Sequence, residues 1–166
     1  MPHKVAAMKT NRGFTLIELM IAIAVLAIVL GLGVPSFRDA IQNNRATAAA
    51  NDVVTALQLA RSEAIRRRQN VVVCRRNAAG DACDDGTNWA VGWLVQSGGT
   101  PIQTWDPRNG NPNLTASANT VTFQSTGRAT AAATITITFP NCTGAQSRTI
   151  GVAATGRVTT TRNACP

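Results

Sequence analysis

Glu18 is the one charged residue in an apolar run that covers residues 14–34. The run starts directly after Gly13, at the end of a short basic stretch. At about 1.5 Å of rise per residue it makes roughly 31 Å of helix, close to the hydrocarbon thickness of a bilayer. A charge near the bilayer centre costs about 2.5–3.5 kcal/mol on insertion scales, so an intramembrane carboxylate is usually functional and usually has a partner. Left unpaired in lipid, it should protonate or find a cation.

An ordinary signal peptide or anchor is the alternative interpretation of this run. A signal peptide is cut after its apolar region at small residues, and Gly31-Leu32-Gly33-Val34 could imitate such a site. The carboxylate of Glu18 within the run argues against that interpretation.

Residues 1–13 are a basic leader. Met8 would serve equally well as the first residue, because residues 8–13 form a complete short leader. Lys9 and Arg12 lie just before the apolar run and favour a cytoplasmic N-terminus by the positive-inside rule. We therefore expect a single membrane span at residues 14–34, with the rest of the chain on the opposite side of the membrane from the N-terminus.

The stretch from Gly13 to Met20, together with Pro35, resembles the type III signal of type IV pilins and type II secretion pseudopilins. In that family a prepilin peptidase of the inner membrane cuts after the glycine and methylates the new N-terminus. The resemblance implies cleavage between Gly13 and Phe14, with Phe14 as the mature first residue. It also implies that Glu18 pairs with the N-terminal amine of a neighbouring subunit, which offsets the burial of both charges and sets the axial register of a filament.

Pro35 ends the apolar run, yet the helical pattern resumes directly after it. Because proline lacks an N–H, the carbonyl of Gly31 loses its helical partner, and we predict a kink or a weakened turn at Pro35. Residues 35–68 then continue as an amphipathic helix that ends within residues 66–68. Its predicted apolar face consists of Phe37, Ile41, Ala46, Ala50, Val53, Leu57, Ala60 and Ala64.

Residues 69–166 change to β-type patterns separated by turn-forming stretches. The predicted strands are residues 71–73, 89–95, 121–123, 135–139, 148–152 and 158–161, with loops at 77–88 and 106–119. A long N-terminal helix followed only by strands indicates an α+β fold, with an antiparallel sheet packed on the helix.

Three features narrow the resemblance to the GspH/FimT/FimU branch of the pilin family. They are Ala60-Arg61-Ser62-Glu63-Ala64 late in the helix, a strand that ends in Gly-Arg, and a terminal cysteine. The branch has the type IV pilin fold, in which the amphipathic half of a long helix lies on a small antiparallel sheet. The resemblance implies a minor pilin with a structural role in priming a type IV pilus, with other pilins as partners. The alternative is the H-type pseudopilin of a type II secretion system.

Four cysteines follow the apolar run, and they indicate disulfides in an oxidising compartment such as a periplasm. Four cysteines allow three pairings. The most local choice joins Cys74 to Cys83 and Cys142 to Cys165, and the second bond would pin the C-terminus.

No arrangement of residues predicts an enzyme, a metal site or a cofactor. The one histidine, His3, lies in the leader, and the cysteines lack the CxxC spacing of zinc sites. Asp81, Asp84 and Asp85 do not match an EF-hand, and we interpret them as part of a solvated loop.

The net charge is +8, and no acidic residue follows Asp106. The candidate cationic surface of this region consists of Arg128, Arg148, Arg157 and Arg162. FimT-type proteins of the same branch bind DNA through a C-terminal Gly-Arg-x-Arg motif, and this chain has Gly156-Arg157-Val158-Thr159 without the second arginine. The resemblance implies contacts with the DNA phosphate backbone, independent of base sequence, in which Arg162 replaces the absent arginine.

Overall fold

The computed structural model describes residues 13–166, so the leader predicted at 1–13 lies outside the described residues except for Gly13. One α-helix, α1, runs from Leu16 to Arg67, and the rest of the described chain is β-structure with one short 3₁₀ turn at Trp89–Val91. The strands are β1 (Val71–Arg75), β2 (Trp93–Ser97), β3 (Thr100–Trp105), β4 (Asn113–Ala116), β5 (Thr120–Phe123), β6 (Ala133–Thr138), β7 (Ser147–Val152) and β8 (Val158–Asn163). The predicted α+β class and type IV pilin fold are confirmed.

The first part of α1 is the one described segment that is long and apolar enough to cross a membrane. The large apolar side chains from Phe14, just before the helix, to Val34 are all exposed, by 84% at Phe14 and by 44% at Val34. The helix continues through position 35 as an α-helix, and the kink predicted at Pro35 stays a prediction.

The second part of α1 is the centre of the protein core. Its buried face consists of Ala46, Ala49, Ala50, Val53, Ala56, Leu57, Ala60 and Ala64, each at 0–1% exposure. The prediction was wrong for Phe37 and Ile41, which are 70% and 38% exposed. Alanines dominate the buried face, and because they are small they let the strands approach the helix axis closely.

The helix ends with a backbone cap rather than with proline or glycine. Arg68 adopts a left-handed conformation at φ 56°, and the Gln69 N–H donates to the Ala64 carbonyl over 3.3 Å. This is the Schellman arrangement, which satisfies a helix carbonyl that has no other backbone partner.

The β-domain contains two antiparallel sheets rather than the one that the sequence predicted. The strand orders are β3-β2-β1-β5 and β4-β6-β7-β8. Each sheet contributes buried side chains to one shared core with the helix, among them Val73 and Trp93 from the first sheet and Ile135 and Ile150 from the second.

Two strands were missed, and both have poor local signals. β3 contains Pro101 and is exposed or half-buried along its length, as tolerated at a sheet edge. β4 lies inside the Asn- and Pro-rich stretch that was predicted as a loop at 106–119. Only Leu114 and Ala116 of β4 are buried, so the alternating pattern covers too few residues to be visible.

Both disulfides follow the most local of the three pairings. Cys74 in β1 is bonded to Cys83, with their Cα atoms 5.6 Å apart. Cys142 is bonded to Cys165, with a Cα separation of 5.7 Å, and the Cys165 N–H also donates to the Gly144 carbonyl over 2.8 Å. The C-terminus is therefore held to the loop between β6 and β7.

Replacing Leu57 by alanine should destabilise the β-domain by about 2–5 kcal/mol, because Leu57 is fully buried at the helix–sheet contact. The three tryptophans all lie in this domain, so their fluorescence during urea unfolding of the detergent-solubilised chain measures the change. Gln58 directly follows Leu57 and is exposed, so Gln58→Ala is the control and should change the free energy of unfolding by less than about 0.5 kcal/mol. Equal midpoints for the two variants would contradict this packing.

Candidate functional site

The predicted processing and assembly residues lie at the start of α1. Gly13 and Phe14 precede the helix and are exposed. The Glu18 N–H donates to Thr15 Oγ1 over 3.3 Å, half of the capping-box pattern Thr-x-x-Glu. A carboxylate in the first turn also interacts favourably with the positive end of the helix dipole. Glu18 therefore suits this helix end while its carboxylate stays available to a second cation.

The four predicted DNA-contacting arginines do not form one surface. Arg157 lies just before β8, and Arg162 lies within β8 five residues further along the chain, which is roughly 16 Å at about 3.3 Å per residue. Arg148 lies opposite Arg162 on β7. Arg128 follows the turn after β5. The set therefore splits into Arg128 and Arg157 at one end of the domain, and Arg148 and Arg162 at the other.

Arg128 and Arg157 are brought together by two turns of the same construction. In each, a glycine N–H donates back three residues over 2.8 Å: Gly127 to the Gln124 carbonyl and Gly156 to the Ala153 carbonyl. Both glycines have positive φ, at 77° and 80°. These are the two Thr-Gly-Arg segments of the chain, and each turn ends with its arginine exposed.

The two turns contact each other directly. A methyl group at position 156 would overlap the carbonyl oxygen of Gly127, so the backbones approach as only glycine allows. Arg61 of α1 lies over this contact, and its Nε donates to the Gly127 carbonyl over 3.0 Å. The contact therefore gathers three exposed arginines, Arg61, Arg128 and Arg157, which we call the turn cluster.

Arg61 was missed because a single arginine on an amphipathic helix usually lies on a solvated face. The signal that could have found it is its place one position after buried Ala60, at the border of the packed face. Its other guanidinium nitrogens form no ion pair within residues 13–166.

The prediction that Arg148 contacts DNA is wrong, because the residue is only 7% exposed and its side chain is not accessible to a phosphate. Its Nη2 donates to Asn43 Oδ1 over 2.5 Å and to Thr47 Oγ1 over 3.2 Å, and its Nη1 donates to the carbonyls of Ala145 and Ser147. Burial, and then the charge of Arg162, lower the pKa of Arg148, although an arginine stays protonated at neutral pH. Arg148 thus connects β7 to α1 as a buried cation.

Several other arginines are neutralised by carboxylates. The pairs are Arg75 with Asp84, Arg76 with Asp106, and Arg108 with Asp52. These pairs involve the end of β1, the loops next to β1 and β3, and Asp52 of α1, and each balances the charge of its arginine. The turn cluster differs because its arginines form no ion pair among the residues that the structure describes.

Glu63 binds two arginines at the end of α1. Arg66 Nε donates to Oε1 over 3.0 Å, and Arg67 Nε donates to Oε2 over 2.6 Å. These hydrogen bonds, that from Arg66 first, lower the pKa of Glu63 from 4.5 to about 2. Because the folded-state pKa is depressed, this contribution to stability is complete above about pH 4.5 and is lost as the pH falls towards 2.

The described part of the chain contains no group of three or more His, Cys, Asp or Glu residues that could hold a metal ion. What the geometry does offer is a membrane-length helix with one carboxylate, continued into the core of a small antiparallel β-domain. That combination defines a filament subunit of the pilin type.

Comparison with known proteins identifies the family. The family described as "Type II transport protein GspH" matches residues 49–156, and the "Prokaryotic N-terminal methylation motif" matches residues 8–34. Two fimbrial proteins of Pseudomonas aeruginosa are each 31% identical over 139 residues, which are 81% of this chain and 82% of theirs. "Prepilin peptidase-dependent protein D" of Escherichia coli (strain K12) is 35% identical over 82 residues, 49% of each chain.

Solved structures with the same fold include the type IV minor pilin FimU of Pseudomonas aeruginosa in two crystal forms. The TM-scores are 0.55 and 0.57 at 20% identity, covering 69% and 74% of this chain and 91% and 90% of the FimU chains. The chain belongs to the family of type IV minor pilins and pseudopilins, in its GspH branch. This is a family of structural pilins, and its N-terminal motif implies processing by prepilin peptidase and assembly with other pilins.

Replacing Gly156 by alanine should destabilise the domain by about 2–5 kcal/mol, since it adds an overlap with Gly127 to the cost of a left-handed alanine. The matched control is Gly99→Ala, where φ is +81° but nothing lies within 4 Å of the added methyl, so about 1–2 kcal/mol is expected. Urea unfolding followed by tryptophan fluorescence measures both. If Gly156→Ala costs no more than Gly99→Ala, the two turns are not in contact.

Proposed function

We propose that the chain is a minor subunit of a type IV pilus that helps to prime assembly or lies near the tip. Residues 1–13 are the leader that prepilin peptidase removes, and Phe14 becomes the methylated N-terminus. Residues 14–34 anchor the subunit in the inner membrane with a cytoplasmic N-terminus, and later form the assembly helix. Residues 35–68 continue this helix, and residues 69–166 are the periplasmic β-domain.

The observation that carries this proposal is the exposed apolar half of α1 with Glu18 in its first turn. Apolar side chains that are 44–84% exposed need lipid or other helices around them. The likeness to fimbrial proteins over most of the chain favours a pilus.

The alternative is an H-type pseudopilin of a type II secretion system, which the description of the GspH family favours. Both machines would use the same anchor, cleavage and intramembrane pairing. They differ in where the subunit is recovered: in sheared surface pili, or with the secretion apparatus of the envelope.

Glu18→Ala should leave membrane insertion intact and reduce recovery of the subunit in sheared pili by at least about tenfold, because the N-terminal amine of a neighbour loses its partner. Immunoblots of membrane and sheared fractions measure the two effects separately. Glu63→Ala is a control outside the apolar run and should still be recovered in pili. Normal incorporation of the Glu18 variant would rule out the pairing mechanism.

We further propose that the β-domain binds DNA through the turn cluster of Arg61, Arg128 and Arg157. Three exposed arginines lie at or next to the contact between Gly127 and Gly156, and none of them forms an ion pair with a carboxylate among residues 13–166. Arginine binds phosphate oxygens in a bidentate manner, and the cluster lies on turns and a helix side rather than on a helix suited to a groove. Binding should therefore depend on phosphates and not on base sequence.

Neutralising three phosphates should give a log–log salt dependence of affinity with a slope of about −3. Changing Arg61, Arg128 and Arg157 to glutamine should flatten this slope to near zero and weaken binding uniformly across sequences. Fluorescence anisotropy with labelled duplexes and the detergent-solubilised full chain, at several salt concentrations, measures both. The matched control is Arg162→Gln, at the far end of β8, which should keep the parental slope; a shallow slope in the parental protein would refute DNA binding.

A further inference from the structure

A polar cleft of about 520 Å³ lies at the other end of the β-domain. Its walls are Asp39 and Asn43 of α1, Thr143 and Gln146 of the loop between β6 and β7, and Arg162 of β8. None of these residues belongs to the turn cluster or to the apolar half of the helix. The cleft is thus separate from both of these features.

The carboxylate of Asp39 is held in a fixed orientation on one wall of the cleft. Its Oδ1 accepts hydrogen bonds from Thr143 Oγ1 over 3.1 Å and from Gln146 Nε2 over 3.3 Å. Gln146 is 7% exposed and also accepts a hydrogen bond from the Thr143 N–H. The second oxygen, Oδ2, takes part in no hydrogen bond within residues 13–166, so it can accept from a ligand.

The guanidinium of Arg162 lies on another wall of the cleft. Its Nε donates to the Ala145 carbonyl over 2.5 Å, which leaves both terminal nitrogens available. Neither Arg162 nor its cross-strand neighbour Arg148 forms an ion pair with a described residue. Like charges directly opposite on neighbouring strands are unfavourable, and one of the two is buried, so an anion in the cleft would stabilise both.

The cleft is built on a loop that a disulfide restrains. Cys142–Cys165 joins the start of this loop to the chain just beyond β8, and the Cys165 N–H bonds to Gly144. Thr143, Ala145 and Gln146 of the same loop orient the two charged groups. Because the groups are positioned before a ligand arrives, little ordering is needed on binding.

A carboxylate and a guanidinium that share a cleft without pairing with each other match a ligand that carries both charges. We propose that this cleft binds a zwitterionic phosphoethanolamine group, with its phosphate on Arg162 and its ammonium on Asp39 Oδ2. Phosphate suits the two available nitrogens of a guanidinium, and the excess positive charge from Arg148 directs the phosphate to that side.

The source of this group is a lipid headgroup. Asp39 follows the last residue of the apolar run, Val34, by only five positions in the sequence. This part of the inference rests on the membrane anchoring under Proposed function, whereas the cleft itself does not.

The site is tested with the full mature chain in detergent and free glycerophosphoethanolamine, compared with glycerophosphoglycerol, by calorimetry and ³¹P NMR. The parental protein should prefer the ethanolamine diester by about tenfold, the gain of one charge-assisted contact. Arg162→Gln should weaken binding of both diesters by about tenfold or more. Asp39→Asn keeps the shape and the hydrogen bonds from Thr143 and Gln146, and it should abolish only the preference.

Arg66→Gln, an exposed arginine at the end of α1 that belongs neither to the cleft nor to the turn cluster, is the matched control and should bind both diesters like the parental protein. Unfolding midpoints by tryptophan fluorescence check that all variants are folded. Unchanged binding by Arg162→Gln, or a preference that survives in Asp39→Asn, would overturn the site.

Native mass spectrometry of the chain released from nanodiscs with phosphatidylethanolamine and phosphatidylglycerol tests the lipid source. Selective retention of phosphatidylethanolamine, lost in Arg162→Gln, is expected. Binding of the free diester without lipid retention would keep the site and overturn the lipid source. A chain that fails to enter nanodiscs would contradict membrane anchoring, while the free-diester measurement would still report on the cleft.

Discussion

Packing of two small sheets on one alanine-rich helix face is the constraint on which the rest of the structure depends. No strand ladder of the described residues joins the two four-stranded sheets, and the isolated bridge between Asn88 and Thr115 connects β4 only to the residue before the 3₁₀ turn. The face from Ala46 to Ala64 instead contacts a core to which both sheets contribute. The helix therefore positions both ends of the domain, because the loop and turn residues that carry charge are attached to strands packed on it.

The two parts of α1 differ in how far their apolar side chains are covered. From Phe14 to Val34 the large apolar side chains are exposed, whereas the packed face of α1 from Ala46 to Ala64 is buried in the protein core. A lone carboxylate in the first part would raise the free energy of a helix placed in lipid unless a cation pairs with it there. This division lets one continuous helix combine an exposed apolar half with a half that forms the core of a folded domain.

Arginine performs three physical roles in this chain. Where a carboxylate is near, as Asp106 is to Arg76, the arginine forms an ion pair that balances its charge. Where the side chain is covered, as at Arg148, it forms hydrogen bonds to neutral groups and carries an uncompensated charge. Where the backbone is crowded by paired glycines, as next to Arg157, the guanidinium projects into solvent. The cationic character of the C-terminal region thus resolves into two separate sites at opposite ends of β8.

Local patterns in the sequence were enough for the apolar run, the end of α1 at Arg67, the α+β class and the short-range disulfide pairing, because each depends on neighbours along the chain. The tertiary structure alone decided that there are two sheets, since alternation identifies a strand but not its partner. It also decided that β3 forms in spite of Pro101, because an edge strand does not need that N–H. The sequence also could not predict that Arg148 is buried while Arg157 is exposed, or that Arg61 lies near Arg157. Identical side chains differ in role because the fold surrounds them with different groups.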